Sequence, residues 1–232
     1  NGTLSGNGTF PLAAISCPTV FVSNATFEKG FSAGYGGCLL LRNVTTLTLV
    51  DVHFTSCQAR RGGGGVAVLA STLPSPSLRF IANRVVFDHI VSAMVESSSG
   101  EESDRVGGCG SAVYAQMQGN NTYVQLSDVS VVNATQLILS SSPSTSMLVT
   151  GGVFVFDWTA GGDGHEWGAD IANVTFDTVH TLSNFSHACF DTSKCPIVSS
   201  FFLLYFGGEE AGSAGGFQTR GGRGLGRTFK AG

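Results

Sequence analysis

The sequence predicts an all-β fold, a single-stranded parallel β-helix (solenoid) of about five rungs carrying loops of variable length. Three observations lead there: a composition that suits neither disorder nor helices, an alternating strand motif that recurs, and a Gly-Gly motif that recurs beside it. The chain has 232 residues, enough for one sizeable core, with 32 Gly, 17 Phe and only 12% charged residues. That charge content is about half the globular norm. So apolar a chain does not stay disordered, and so Gly-rich a chain does not build a helical bundle. The formal net charge of −4 lacks the clustered positive charge of a nucleic-acid surface.

Four segments share the strand motif: 47–54, 78–87, 124–131 and 169–176, with 20–27 a weaker copy. Each alternates apolar and polar residues, meets an Asp or Asn, and resumes as a second short strand ending in Phe or Val. Such alternation marks half-buried strand, and the Asp or Asn marks a bend. Asp51 and Asp128 fall at one repeat position, where Asn83 and Asn173 stand in the other copies. The closing residue advances through Phe27, Phe54, Phe87, Val131 and Phe176, in steps of 27, 33, 44 and 45. Phe54, Phe87 and Phe176 with Val131 are expected to form one inward column, and Cys57, Ile90, Ala134 and Val179 a second. The second Gly of each Gly-Gly pair advances through Gly37, Gly65, Gly108 and Gly152, and the two series are read as keeping phase. Extra residues fall in loops 71–77, 96–104, 140–146 and 159–168, which stacked repeats tolerate on their outer side. The expected organisation is a lead-in segment at 1–19, the β-helix domain at 20–206, and a Gly-rich basic tail or inter-subunit linker at 207–232, with Arg220, Arg223, Arg227 and Lys230 among glycines.

The pairing of Leu-x-Leu-x-Asp/Asn-Val-x-Phe with a later Gly-Gly-small-x-apolar segment resembles the repeats of right-handed parallel β-helix proteins. It is similar to those of polymorphic outer-membrane adhesins of chlamydiae, of large eukaryotic surface glycoproteins, and of pectin-lyase-like proteins. The resemblance covers 20–206 and implies a surface or extracellular role. The adhesin repeats carry Asn three residues after the Phe, where this chain has Gly30, Cys57, Ile90, Ala134 and Val179.

Compartment is read from two residue types. Eight of the ten Asn stand in Asn-X-Ser/Thr: Asn1, Asn7, Asn24, Asn43, Asn120, Asn133, Asn173 and Asn184. That motif accepts N-linked glycans in secreted proteins and points to a eukaryotic source. Six Cys, an even number, fit an oxidising compartment. Cys189 and Cys195 bracket a short loop and are the expected disulfide. The pairing of Cys17, Cys38, Cys57 and Cys109 stays open, Cys38 and Cys109 being equivalent positions after Gly-Gly. No apolar run reaches the length of a membrane span. The opening residues lack a charged then apolar leader, so removal of a signal peptide and a longer parent chain are both expected.

No motif for nucleophilic, phosphate or dinucleotide chemistry occurs, and neither a catalytic residue, a cofactor nor a metal is expected. The richest polar cluster, a candidate glycan-binding loop, comprises Asp157, Trp158, Asp163, His165, Glu166, Trp167 and Asp170. Trp faces stack on sugar rings, and carboxylates accept from sugar hydroxyls. His165-Glu166 lacks the second His of a zinc-protease helix. The acidic loop with Glu96, Glu101, Glu102 and Asp104 reads as solvated. The function expected is that of a structural extracellular glycoprotein, secreted or at the cell surface. It would be a subunit of an appendage, filament or matrix that self-associates by stacking on its strand edges or on other subunits. The runner-up is a carbohydrate-active enzyme of pectinase-like fold with carboxylates near 157–170. An adhesin or glycan-binding surface is third.

Overall fold

The computed structural model describes residues 2–7, 11–69, 77–95, 109–116, 122–139, 149–158, 167–183 and 197–206. Among the described residues there are strands and no helix. They are β1 (Gly2–Ser5), β2 (Ala13–Ser16), β3 (Thr19–Glu28), β4 (Phe31–Ser32), β5 (Leu39–Arg42), β6 (Thr46–Thr55), β7 (Gln58–Ala59), β8 (Val66–Leu69), β9 (Arg79–Asp88), β10 (Val91–Val95), β11 (Cys109–Gln116), β12 (Thr122–Leu139), β13 (Val149–Trp158), β14 (Trp167–Ser183) and β15 (Ile197–Phe206). All pair in parallel. A nine-stranded sheet runs β1-β3-β6-β9-β12-β10-β7-β4 with β14 also on β12, and a six-stranded sheet runs β15-β13-β11-β8-β5-β2.

This arrangement corrects the expected fold class. In place of a single-stranded β-helix solenoid with short strands in each rung, the larger sheet curls into a half-barrel and the smaller sheet stands separate from it. The physical reason lies at the Asp and Asn bends, which do not end strands. Asp51 sits inside β6 at φ 55, and Asp128 and Asn133 both sit inside the 18-residue β12 at φ 53 and 52. A left-handed residue bends the strand while pairing continues on either side of it, so long kinked strands form one curled sheet. The smaller sheet keeps its own spacing. Leu39 pairs with Val66 and Val66 with Val113, so Gly37 faces Gly64 rather than Gly65, and the two sheets advance by different residue counts. Within 1–19, β1 pairs with β3 and β2 with β5. Residues 207–232 lie outside the described residues.

The core lies between the two sheets. Register places Phe27, Phe54, Phe87, Val131 and Phe176 in one inward file. Phe27 stacks on Phe54 at 5.1 Å between ring centroids, and Phe54 on Phe87 at 5.0 Å, matching the ~4.8 Å strand spacing. Val131 interrupts the stack. Phe154 of the smaller sheet fills the gap, edge-on to Phe87 at 5.9 Å and to Phe176 at 6.1 Å. The second inward file holds Cys57, Ile90 and Ala134, all fully buried, with Val179 packed against them. Cys57 is bonded to Cys38, which fastens the larger sheet to the start of β5. Gly30 occupies the same file one repeat earlier; a Cβ there would lie 2.6 Å from the Cys38 sulfur, so the missing side chain makes room for the disulfide. Gly65 similarly lies against the Phe87 ring, 2.8 Å from where its Cβ would stand.

Candidate functional site

The outer face of the larger sheet carries the polar groups, because period-two alternation has sent the apolar ones inward. Two files of left-handed residues cross it. The first is Asn24, Asp51, Arg84, Asp128 and Asn173, and the second is Lys29, Ser56, His89, Asn133 and Thr178. Asn and Asp tolerate this conformation through local hydrogen bonding, whereas other side chains cost about 1–2 kcal/mol there.

In the first file the odd member is Arg84, which stands where Asn83 was expected to align with Asp51. Its Nε donates to Asp51 Oδ1 at 2.6 Å and its second terminal nitrogen to Asp51 Oδ2 at 2.8 Å. The hydrogen bond from Arg84 holds the Asp51 carboxyl below its ordinary range, and the same pair raises Arg84. On the next strands Asn173 Nδ2 donates to Asp128 Oδ1 at 2.9 Å. One exposed ion pair thus ties β6 to β9, and one amide–carboxylate bond ties β14 to β12.

The second file borders a shallow open groove of about 400 Å³. Ser56, His89, Asn133 and Thr178 form its rim, and Gln58, Val91, Thr135 and His180 continue the lining two residues on. His89 Nδ1 lies 2.7 Å from Asp88 Oδ1, and Asn133 Nδ2 donates weakly to the same oxygen at 3.4 Å. Thr178 Oγ1 donates to Asp177 at 3.0 Å. Lys29 and the β-branched Thr178 are residue types that this backbone conformation disfavours, whereas His is among those enriched in it.

A second open groove, about 550 Å³, is lined by Thr45, Thr46, Ser77, Arg79 and Tyr123. The Arg79 guanidinium lies over the Tyr123 ring, 5.6 Å from its centroid. The Tyr123 hydroxyl donates to Asp170. Asp170 is the one member of the sequence-nominated glycan-binding cluster whose side chain is described. Asp157, Trp158 and Trp167 end β13 or begin β14, but their side chains lie outside the described set, as do residues Asp163, His165 and Glu166 entirely. Among the described residues no three of His, Cys, Asp and Glu group as a metal site.

Five sequon asparagines are described, and all are on the outside. Asn24 and Asn173 are exposed in the first file, Asn133 is half-buried in the second, Asn43 turns from β5 into β6, and Asn7 follows β1. Asn43 Nδ2 donates to Ser16 Oγ at 2.9 Å. Asn1, Asn120 and Asn184 lie outside the described residues, as do Cys189 and Cys195, the side chain of Cys109, and the acidic loop. Cys17 is an exposed thiol that donates to the Thr19 carbonyl at 3.4 Å. Sequence reasoning missed Arg84, Arg79, Tyr123 and the His89–His180 groove. Only for Arg84 was there a signal, its distance of three residues from Phe87, which equals that of Asp51 from Phe54.

A search for relatives finds no matching family model, no matching curated protein and no matching solved structure.

Proposed function

We propose that this chain is a structural, N-glycosylated protein of an extracellular or cell-surface assembly, built by association of its strand edges. The observation that carries the reading is a segregation of surfaces. The described sequons all stand on the outer side, where sugars block lateral contact, while the strand stack is open at its two ends. Among the described residues β14 and β15 have no strand beyond them, and neither has β2. The core side chains at these ends are only partly buried: Leu12, Ala13, Ile15 and Val22 at one, and Ile171, Val174 and Phe176 at the other. Leu4 and Phe21 near the first end are 46% and 65% exposed. An open parallel edge with apolar residues behind it templates further strands. A contact between unlike ends is heterologous and gives a ring where its rotation closes and a filament where it does not; the reading takes the filament.

Sedimentation velocity of the native glycoprotein over a concentration series tests this. Association is expected to grow with concentration and to be lost when Thr175→Pro disrupts the β14 edge. A protein that stays monomeric throughout, or a proline variant that associates unchanged, contradicts the reading.

A second reading, a glycan-binding surface, is favoured by the Arg79–Tyr123–Asp170 arrangement, which joins a cation, an aromatic ring and a carboxylate at an open groove. Binding of an acidic oligosaccharide that Arg79→Ala abolishes would support it.

A further inference from the structure

We infer that the groove around Asn133 seats the sugar attached to that residue, packing this one glycan against the protein while those on Asn24, Asn43 and Asn173 extend into solvent. The inference rests on the reading of the chain as a glycoprotein. Among the described sequons, Asn133 alone lies within a strand paired on both sides at that point. Val132 pairs with Asp88 on one side and Asp177 on the other, and Thr135 with Val91 and His180. Asn173 lies on the edge strand β14, Asn24 lies just before the β1 pairing begins at Ala25, and Asn43 lies in a turn. A sugar on Asn133 therefore stands over neighbouring strands, and there the surface is hollowed into the groove of about 400 Å³.

The chemistry of the hollow suits a pyranose linked at that nitrogen. The Asn133 amide has two hydrogens; one points at Asp88 Oδ1, 3.4 Å away. Glycosylation replaces one hydrogen by the C1–N bond and keeps the other, so the bond to Asp88 survives and the sugar leaves on the remaining side. On either flank His89 and His180 offer ring nitrogens, Gln58 an amide and Thr178 a hydroxyl, all suited to sugar hydroxyls. Val91 gives a small apolar patch for the C–H face of the ring. One rim position, the β-branched Thr178, holds left-handed backbone at φ 55, where Asn or Gly would be less strained.

The test uses the secreted glycoprotein with its native sugars, digested by a peptide N-glycosidase without denaturant and followed site by site by mass spectrometry. The Asn133 glycan is expected to be released at least about tenfold more slowly than those on Asn43 and Asn173, since release there waits on opening of the seat. The double variant His89→Ala, His180→Ala, checked by circular dichroism for an unchanged β signal, is expected to bring the Asn133 rate close to the others. Equal rates in the native protein overturn the inference. So does an unchanged Asn133 rate in the double variant, or an unmodified Asn133 beside glycosylated Asn43 and Asn173. A secreted protein with no sugar at any sequon instead overturns the glycoprotein reading itself.

Discussion

The way Phe154 completes an interrupted aromatic stack gives a sharp compensation experiment. Phe87 and Phe176 are two strand spacings apart, about 9.6 Å, too far to touch, and Val131 between them in the file has no ring to fill the space. Phe154 enters from the other sheet and meets both rings edge-on, at 5.9 and 6.1 Å, while fully buried. Phe154→Ala is expected to cost about 3–5 kcal/mol as a buried ring lost. Its two aromatic contacts, at about 0.5–1.5 kcal/mol each beyond area, put it toward the upper end. Val131→Phe alone drives a ring into occupied space and is expected to cost about 1–3 kcal/mol. With both changes the new ring continues the face-to-face stack of Phe27, Phe54 and Phe87, whose 5.0–5.1 Å centroid spacing fits the strands. The double variant should then be about 2–3 kcal/mol more stable than the two single effects added together, the upper part of the range for coupled contacts. Urea unfolding of all four proteins, read by circular dichroism and by tryptophan fluorescence, gives the cycle directly. Additivity within about 0.5 kcal/mol would refute the claim that Phe154 occupies the place of the missing stack member.

Three further outcomes follow from single positions. Gly65→Ala puts a Cβ 2.8 Å from the Phe87 ring and 3.0 Å from the Ala112 carbonyl; a loss of about 1–3 kcal/mol in denaturant unfolding is expected, and a neutral result contradicts the close packing. Thr178→Asn relieves a β-branched side chain at φ 55 and should raise stability by about 1 kcal/mol, read as a higher urea midpoint; a lower midpoint contradicts the strain assignment. Asp51 is depressed by its hydrogen bond from Arg84, so the pair's contribution is present above the unfolded carboxyl pKa of about 3.9 and is lost as pH falls through the lower folded value. The melting-temperature gap between the native protein and Arg84→Met should accordingly close as pH drops below about 4 and narrow in high salt. A gap that stays constant with pH would show that the pair is not its source.

The parts of this fold legible in the sequence are those fixed by side-chain alternation. The file from Phe27 to Phe176 and the file from Cys57 to Val179 recur as strand register, because a one-residue slip would turn every apolar side chain to solvent. The partition into two sheets was not legible. Asp51 and Asp128 look like strand ends on composition, but a left-handed residue bends a strand without ending its ladder. The disulfide between Cys38 and Cys57 was hidden for a related reason: pairing depends on how β5 sits against the larger sheet, and the sequence states no distance between sheets. The grooves were invisible because their residues, from Ser56 to His180, are brought together only by stacking. Of the polar cluster read at 157–170, the side chain of Asp170 alone is described, and its partner Tyr123 comes from 47 residues earlier.

Electron microscopy of the native, undigested protein tests the central claim most directly. Each copy adding five to six strand spacings to a stack would give filaments with an axial repeat of roughly 24–29 Å. The proposed assembly predicts such filaments, growing longer with concentration. Separate compact particles at every concentration would contradict it.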